Sequence, residues 1–302
     1  MEKINHYKTI SQMHQASSYP PPVHPLISMV TCSDLMKCSV GEARFSSDFF
    51  MIALKKIKSG HMLYGKTRYD HDNGSMMFAK PRQIIEFSNV QFEEKSFVIF
   101  FHEDYLAGHP LHDQIKKYGY FEYEINEALH LSPPEEELIW DLYDKIKVEY
   151  NTNPDEFSRE IILSHIDSIL KYSDRFYKRQ FINRSTNVSG TTIKRFQSTL
   201  DHYFESGRMK KDGLPTVHQL AGELNLSPRY LSDVLKVETG KTALEHIHLY
   251  LIDEAKNQLL SSDANISEIA YQLGFENPPY FTRLFKKVVG MTPVQYKELH
   301  LN

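Results

Sequence analysis

The feature that most constrains this chain is an internal repeat in its last third. Val217, Leu220, Ala221 and Leu224 return 49 residues later as Ile266, Ile269, Ala270 and Leu273. Each set has the i, i+3, i+4, i+7 spacing of one apolar helix face. At an offset of 50, Tyr230-Leu231-Ser232-Asp233-Val234-Leu235-Lys236 lies over Tyr280-Phe281-Thr282-Arg283-Leu284-Phe285-Lys286, and Gly240 and Thr242 fall on Gly290 and Thr292. The change of offset puts a one-residue insertion in the turn between two helices, where insertions are tolerated.

Punctuation supports the same two-helix unit in both copies. Thr216 with Gln219, and Asn265 with Glu268, have the spacing of a capping box. Ser227-Pro228 and Asn277-Pro278 set an N-cap residue before a proline at the first helical position, and Gly240 and Gly290 suit C-caps. Between the copies Thr242 caps a segment from Ala243 to Leu260 with apolar residues at Leu244, Ile247, Leu251, Ala255 and Leu259. Such a rod is roughly 27 Å long at about 1.5 Å per residue, comparable to the spacing of about 34 Å between successive major-groove faces of DNA. The expectation is two helix-turn-helix units on one chain, reading two adjacent major grooves.

The run Ile266-Ser267-Glu268-Ile269-Ala270-Tyr271-Gln272-Leu273-Gly274-Phe275, with Tyr280 to Lys287 and Gly290-Met291-Thr292-Pro293-Val294-Gln295-Tyr296, resembles the signature of the AraC/XylS family of transcription regulators. The resemblance covers about Thr192 to Lys297. It implies tandem helix-turn-helix units, double-stranded promoter DNA and RNA polymerase as partners, and a cupin-like N-terminal domain that senses a small-molecule effector.

Helical spacing turns Leu231, Val234 and Leu235 inward in the first recognition helix. Arg229, Tyr230, Ser232, Asp233 and Lys236 are left on its outer side. In the second, Phe281, Leu284 and Phe285 face inward and Pro279, Tyr280, Thr282, Arg283, Lys286 and Lys287 outward. The resemblance puts base-edge contacts on Arg229, Ser232, Asp233, Pro279, Thr282 and Arg283. The two arginines suit bidentate contacts to guanine. Asp233 has two readings, an acceptor for cytosine N4 or a local partner of Arg229. Lys236, Lys286 and Lys287 are placed for phosphates, which position without specifying.

Charge in bulk does not announce nucleic acid. The net charge is −4, and from Gly190 onward 13 Lys plus Arg meet 13 Asp plus Glu, so Met1 to Ser189 carries the whole deficit. DNA binding must therefore rest on local placement of cations.

The first half reads as short strands: Phe49 to Leu54, Phe97 to Phe101, Met76-Met77-Phe78 and Ile84-Ile85, with turns at Gly60 and His71-Asp72-Asn73-Gly74. A barrel closes such strands, giving an α+β chain: a cupin-like β-barrel with flanking helices, then an all-α domain. Arg68, Tyr69, Lys80 and Arg82 are pocket candidates or surface strand residues. A helix opens at Ser132-Pro133-Pro134-Glu135 and runs to about Tyr150; another, carrying Phe157, Ile161, Ile162, His165, Ile166, Ile169 and Leu170, runs to about Asn183. Their stripes either pack on the barrel or, by analogy with the family, form a homodimer interface. Asn183 to Gly190 reads as a linker. The domains expected are 1–131 (sensor), 132–189 (helical dimerisation segment and linker) and 190–302 (DNA-binding).

Several functions are disfavoured. No apolar run approaches the roughly 18 to 20 residues of a membrane span, and the N-terminus lacks an apolar signal core. Cys32 and Cys38, the only cysteines, are too few for a disulfide framework and suggest a cytoplasmic chain with reduced thiols. The histidines His61, His71, His102, His109 and His112 lack the paired spacing of a cupin metal site, and no phosphate-loop or serine-nucleophile motif is present. No cofactor or enzymatic activity is expected. Two other readings stay open: a cupin-type metal enzyme with a helical appendage, and a regulator controlled by a protein partner.

Overall fold

The computed structural model describes residues 4–35, 38–64, 67–68, 74–123, 127–187, 191–261 and 264–301. The chain divides into two compact units, Met1–Gln180 and Phe181–Asn302.

The N-terminal unit is β-rich, with two sheets. Among the described residues, one sheet holds β1 (Asn5–Tyr7), β4 (Ala43–Ser47), β9 (Ile85–Phe92), β6 (Ile57–Tyr64) and β7 (Thr67–Arg68) in that order, with β3 (Ser39–Val40) also on β9. The other runs β11 (Leu129–His130), β8 (Ser75–Ala79), β5 (Phe49–Lys55), β10 (Phe97–His102) and β2 (Ile27–Thr31). Strands β5 and β10 are antiparallel, with Phe97 opposite Leu54 and Phe101 opposite Phe50. Every residue of β5 is buried, as the unbroken run Phe49 to Leu54 requires of a central strand covered on both faces. Ile84 lies outside the strands and is exposed.

Short helices α1 (Ile10–Ala16) and α2 (Leu111–Gln114) belong to the same unit, and the longer α3 (Pro133–Asn151) and α4 (Ser158–Asn187) follow. Ser132 and Glu135 make the capping box that opens α3, Glu135 Oε2 accepting from the Ser132 N–H at 2.8 Å. Inside the unit these helices cover the second sheet: the Phe97 ring stacks on Tyr143 at 4.1 Å and meets Trp140 edge-on at 5.0 Å. Ile162, Ile166, Ile169 and Leu170 are buried, whereas Phe157, at 62% exposure, and Ile161 face outward. The expected seven-residue stripe is thus shorter than its sequence suggests. Helix α4 continues to Asn187, so the expected linker is helical over 183–187, and its last three positions lie outside the described residues.

Cys32 and Cys38 form a disulfide, their Cα atoms 5.0 Å apart. This corrects the expectation of reduced thiols, which rested on the number of cysteines and not on the approach of the two in space. No helix of the described residues is long and apolar enough to cross a membrane.

The C-terminal unit is helical: α5 (Thr191–Glu205), α6 (Met209–Asp212), α7 (Val217–Leu224), α8 (Pro228–Thr239), α9 (Ala243–Ser261), α10 (Ile266–Gln272), α11 (Pro278–Val289) and α12 (Pro293–Leu301). One apolar core serves both repeats, running from Leu220, Leu231 and Leu235 through Ile247, Leu251 and Ala255 of α9 to Ile269, Phe281 and Phe285. Within α9, Leu244 is exposed, and Ala243 and Ile252 take the inward places.

Candidate nucleic-acid interface

Both two-helix units are built by the same local devices. Gln219 Oε1 accepts from the Thr216 N–H at 2.9 Å and Thr216 Oγ1 from the Gln219 N–H at 3.2 Å; in the second copy Glu268 Oε2 accepts from the Asn265 N–H at 2.9 Å and Asn265 Oδ1 from the Glu268 N–H at 3.0 Å. Each turn needs one left-handed residue, filled by Asn225 (φ 57°) and Gly274 (φ 79°), residue types that tolerate positive φ. The residue after each donates back into the first helix: Leu226 N–H to Ala221 O and Phe275 N–H to Ala270 O, both at 2.9 Å. The extra residue of the second turn is Glu276. Recognition helices α8 and α11 then start from Ser227 and Asn277, whose side chains accept from the N–H groups of Tyr230 and Tyr280, and end at Gly240 and Gly290 in left-handed conformation.

The outer faces differ from each other. On α8, Arg229 and Lys236 are exposed and Ser232 and Asp233 half-buried. Arg229 Nε lies 3.1 Å from Asp233 Oδ2, one helical turn away, so the local pair is formed. Tyr230 is 3% exposed and packs edge-on against Phe181, ring centroids 5.2 Å apart. Its expected place on the outer side is corrected, because an aromatic partner 49 positions earlier in the chain draws it inward. On α11, Pro279, Tyr280, Arg283, Lys286 and Lys287 are exposed and Thr282 half-buried. No acidic residue lies between Pro278 and Val289. Phosphate oxygens facing α11 would therefore meet three cations, against the self-paired arginine and single lysine of α8.

A second site lies in the N-terminal unit: a cavity of about 820 Å³ lined from both sheets. Its wall includes Tyr19, Met51, Lys55, Phe87 and Phe100. Sequence reasoning missed all of these, because only the pairing of distant strands brings them together. Lys80 and Arg82, the pocket candidates, are instead on the surface, Lys80 paired with Glu122 at 2.9 Å and Arg82 with Asp48 at 3.5 Å. Tyr69 and the side chain of Arg68 lie outside the described residues, as do His71 and the side chain of His61. His102 and His109 each lie beside an acidic residue, Asp104 and Glu160, at 3.3 Å. Among the described residues no three His, Cys, Asp or Glu side chains converge as a metal site would need.

Residues 220–298 match the family described as "Helix-turn-helix domain". The chain is 28% identical over 127 residues to the uncharacterised HTH-type transcriptional regulator YtdP of Bacillus subtilis (strain 168), covering 42% of this chain and 16% of that protein. It is 36% identical over 76 residues to the uncharacterised transcriptional regulatory protein YesN of the same strain, covering 24% and 21%. To the MmsAB operon regulatory protein of Pseudomonas aeruginosa it is 33% identical over 82 residues, covering 27% of each. Among solved structures, the C-terminal domain of the two-component response regulator yesN from Fusobacterium nucleatum matches at 32% identity and a TM-score of 0.30, over 34% of this chain and 93% of that one. The chain thus spans under a third of the length of these curated relatives. Residues 220–298 are an AraC-type helix-turn-helix DNA-binding domain.

Proposed function

We propose that the protein is a sequence-specific transcription regulator that acts without catalysis, in the cytoplasm and as a homodimer. In this reading, segment 190–302 binds double-stranded promoter DNA, with α8 and α11 in successive major grooves of one face. Arg229, Ser232 and Asp233 meet base edges in one groove, and Pro279, Thr282 and Arg283 in the next. Lys236, Lys286, Lys287 and the Tyr280 hydroxyl hold phosphates, and Tyr230, being buried, holds α8 in place instead. Segment 1–131 is a cupin-like sensor whose cavity receives a small molecule. Segment 132–189 dimerises through the exposed Val148, Phe157 and Ile161, and RNA polymerase is the partner at the promoter. The observation that carries the reading is the pair of identically capped two-helix units on one core, each ending in a helix that turns an arginine outward.

The test is selection of genomic fragments by the purified protein. Enrichment of a site with two short boxes about one helical turn apart, one relaxed by Arg229→Ala and the other by Arg283→Ala, is expected. Absence of both enrichment and salt-sensitive duplex binding would overturn the reading.

A further inference from the structure

We infer that Phe181, which stands outside the repeat, is a positioning residue for DNA reading by the first helix-turn-helix unit: its ring sets the first turn of α8 and thereby the aim of Arg229. This deepens the regulator reading above and rests on it. The two copies differ at the start of their recognition helices. Ser227 and Tyr230 are each 3% exposed, whereas their counterparts Asn277 and Tyr280 are exposed. In the second copy the ring beside Tyr280 is Phe275, from that unit's own turn, with centroids 5.9 Å apart. The equivalent turn residue of the first copy is Leu226, which makes the same backbone hydrogen bond but carries no ring. Tyr230 meets instead the ring of Phe181, the first residue of the C-terminal unit, edge-on at 5.2 Å.

Two stripes of α8 are buried, and they do different things. Leu231 and Leu235 join the core shared by both units. Tyr230 and Val234, one position before each, form a second stripe about 100° round the helix, and Phe181 packs on it. A helix held along one line can still roll about its axis; contacts on two lines fix the roll. The far end of α8 is held by Gly240 in left-handed conformation and by Thr239 Oγ1, which lies 2.7 Å from His246 Nε2 of α9. The Phe181 contact therefore acts on the first turn, the part of a recognition helix that enters the groove. It does not occupy the side chains that would meet DNA, because Arg229 and Lys236 stay exposed. Arg229 adjoins Tyr230 in the chain, and a functional contact of this kind tolerates a displacement of only about 0.5 Å. An edge-on ring pair supplies a preferred direction of approach as well as apolar burial. The second unit supplies its own ring through Phe275, so its reading is independent of Phe181. The part of the chain required to read the first box then begins at Phe181, ahead of segment 190–302.

The test uses the full-length protein and repeats the selection of genomic fragments with Phe181→Ala. That variant should relax the box that Arg229→Ala relaxes and leave in place the box that Arg283→Ala relaxes. On a selected duplex, followed by fluorescence anisotropy, it should bind about three- to tenfold more weakly than the wild-type protein. Scrambling the first box should then cost the variant less affinity than it costs the wild type, while scrambling the second should cost both the same. Hydrogen exchange of the free protein gives a readout without DNA: amides 229–234 should exchange faster in the variant and amides 279–284 at the wild-type rate. Should Phe181→Ala fail to fold, Phe181→Leu, which keeps apolar bulk without the ring, should relax the same box. A merely structural role would weaken both boxes alike and speed exchange in both helices. Either of those results, or unchanged selectivity at the first box, would overturn the inference. If the wild-type protein selects both boxes and the Phe181 variants match it, the inference alone falls; if the wild type selects none, the regulator reading falls and takes the inference with it.

Discussion

The two helix-turn-helix units share their caps, their left-handed turn residue and their apolar positions, yet present different outer faces. Helix α8 carries Arg229 and Lys236 against Asp233 and Glu238, while α11 carries Arg283, Lys286 and Lys287 with no acid. Tyr230 is buried where its counterpart Tyr280 is 42% exposed. The positions that make the unit fold are held fixed between copies, and those that face solvent are free to diverge. The first unit partly neutralises its own arginine; the second leaves its cations facing out. Phosphate attraction is therefore expected to be concentrated in the second unit, and discrimination in the first to depend on how readily Arg229 exchanges Asp233 for a base.

The largest expected effect tests whether the two units are separable at all. Phe281 and Leu231 are fully buried in one shared core, so Phe281→Ala should cost about 3 to 5 kcal/mol and Leu231→Ala about 2 to 5. Each should shift a single urea transition of the C-terminal unit. Two resolved transitions would show that the copies fold independently.

A smaller effect probes the outer faces. Arg283→Ala should weaken specific DNA binding by roughly 1 to 3 kcal/mol, the value of a good base contact. Arg229→Ala should cost less, because Arg229 must first leave Asp233, and Asp233→Asn should tighten binding by removing a carboxylate from the phosphate field. Titration of a duplex by fluorescence anisotropy measures all three. A larger loss for Arg229→Ala than for Arg283→Ala would reverse the assignment of the stronger reader.

The caps should be worth the same in both copies. Ser227→Ala and Asn277→Ala each remove an acceptor for a first-turn N–H, and each should lower stability by about 1 kcal/mol. Thermal denaturation decides whether the longer second turn changes that equality.

The smallest effect distinguishes two histidines of α9. His246 and His248 are both held below the ordinary histidine pKa, first by burial and next by a lysine, Lys241 for His246 and Lys287 for His248. Because the folded pKa values lie below the unfolded ones, the stabilisation is complete above about pH 6.5 and is lost as pH falls from there through the folded values. Lys287→Ala should raise the His248 titration and leave that of His246 in place, as read by NMR. Movement of both would show that the lysines act on α9 together.

By itself, the sequence determined the two repeated helix pairs of the C-terminal unit, α7 with α8 and α10 with α11, and the helix α9 between them. Apolar spacing, capping boxes, proline at the first helical position and the αL residues all act within a few positions of one another, so a linear reading captures their physics. Strands β5, β8 and β10 were legible for the same reason, as short apolar runs between turns. Tertiary structure alone decided what depends on distant partners. The Phe181 ring turned Tyr230 inward, the approach of Cys32 and Cys38 to a Cα distance of 5.0 Å joined them, and ion pairs with Glu122 and Asp48 kept Lys80 and Arg82 on the surface. Above all, the pairing of strands far apart in the chain enclosed Lys55 among aromatic and thioether side chains. Whether a lysine is a solvated charge or the floor of a cavity depends on the dielectric around it, and that is a property of packing which no local pattern encodes.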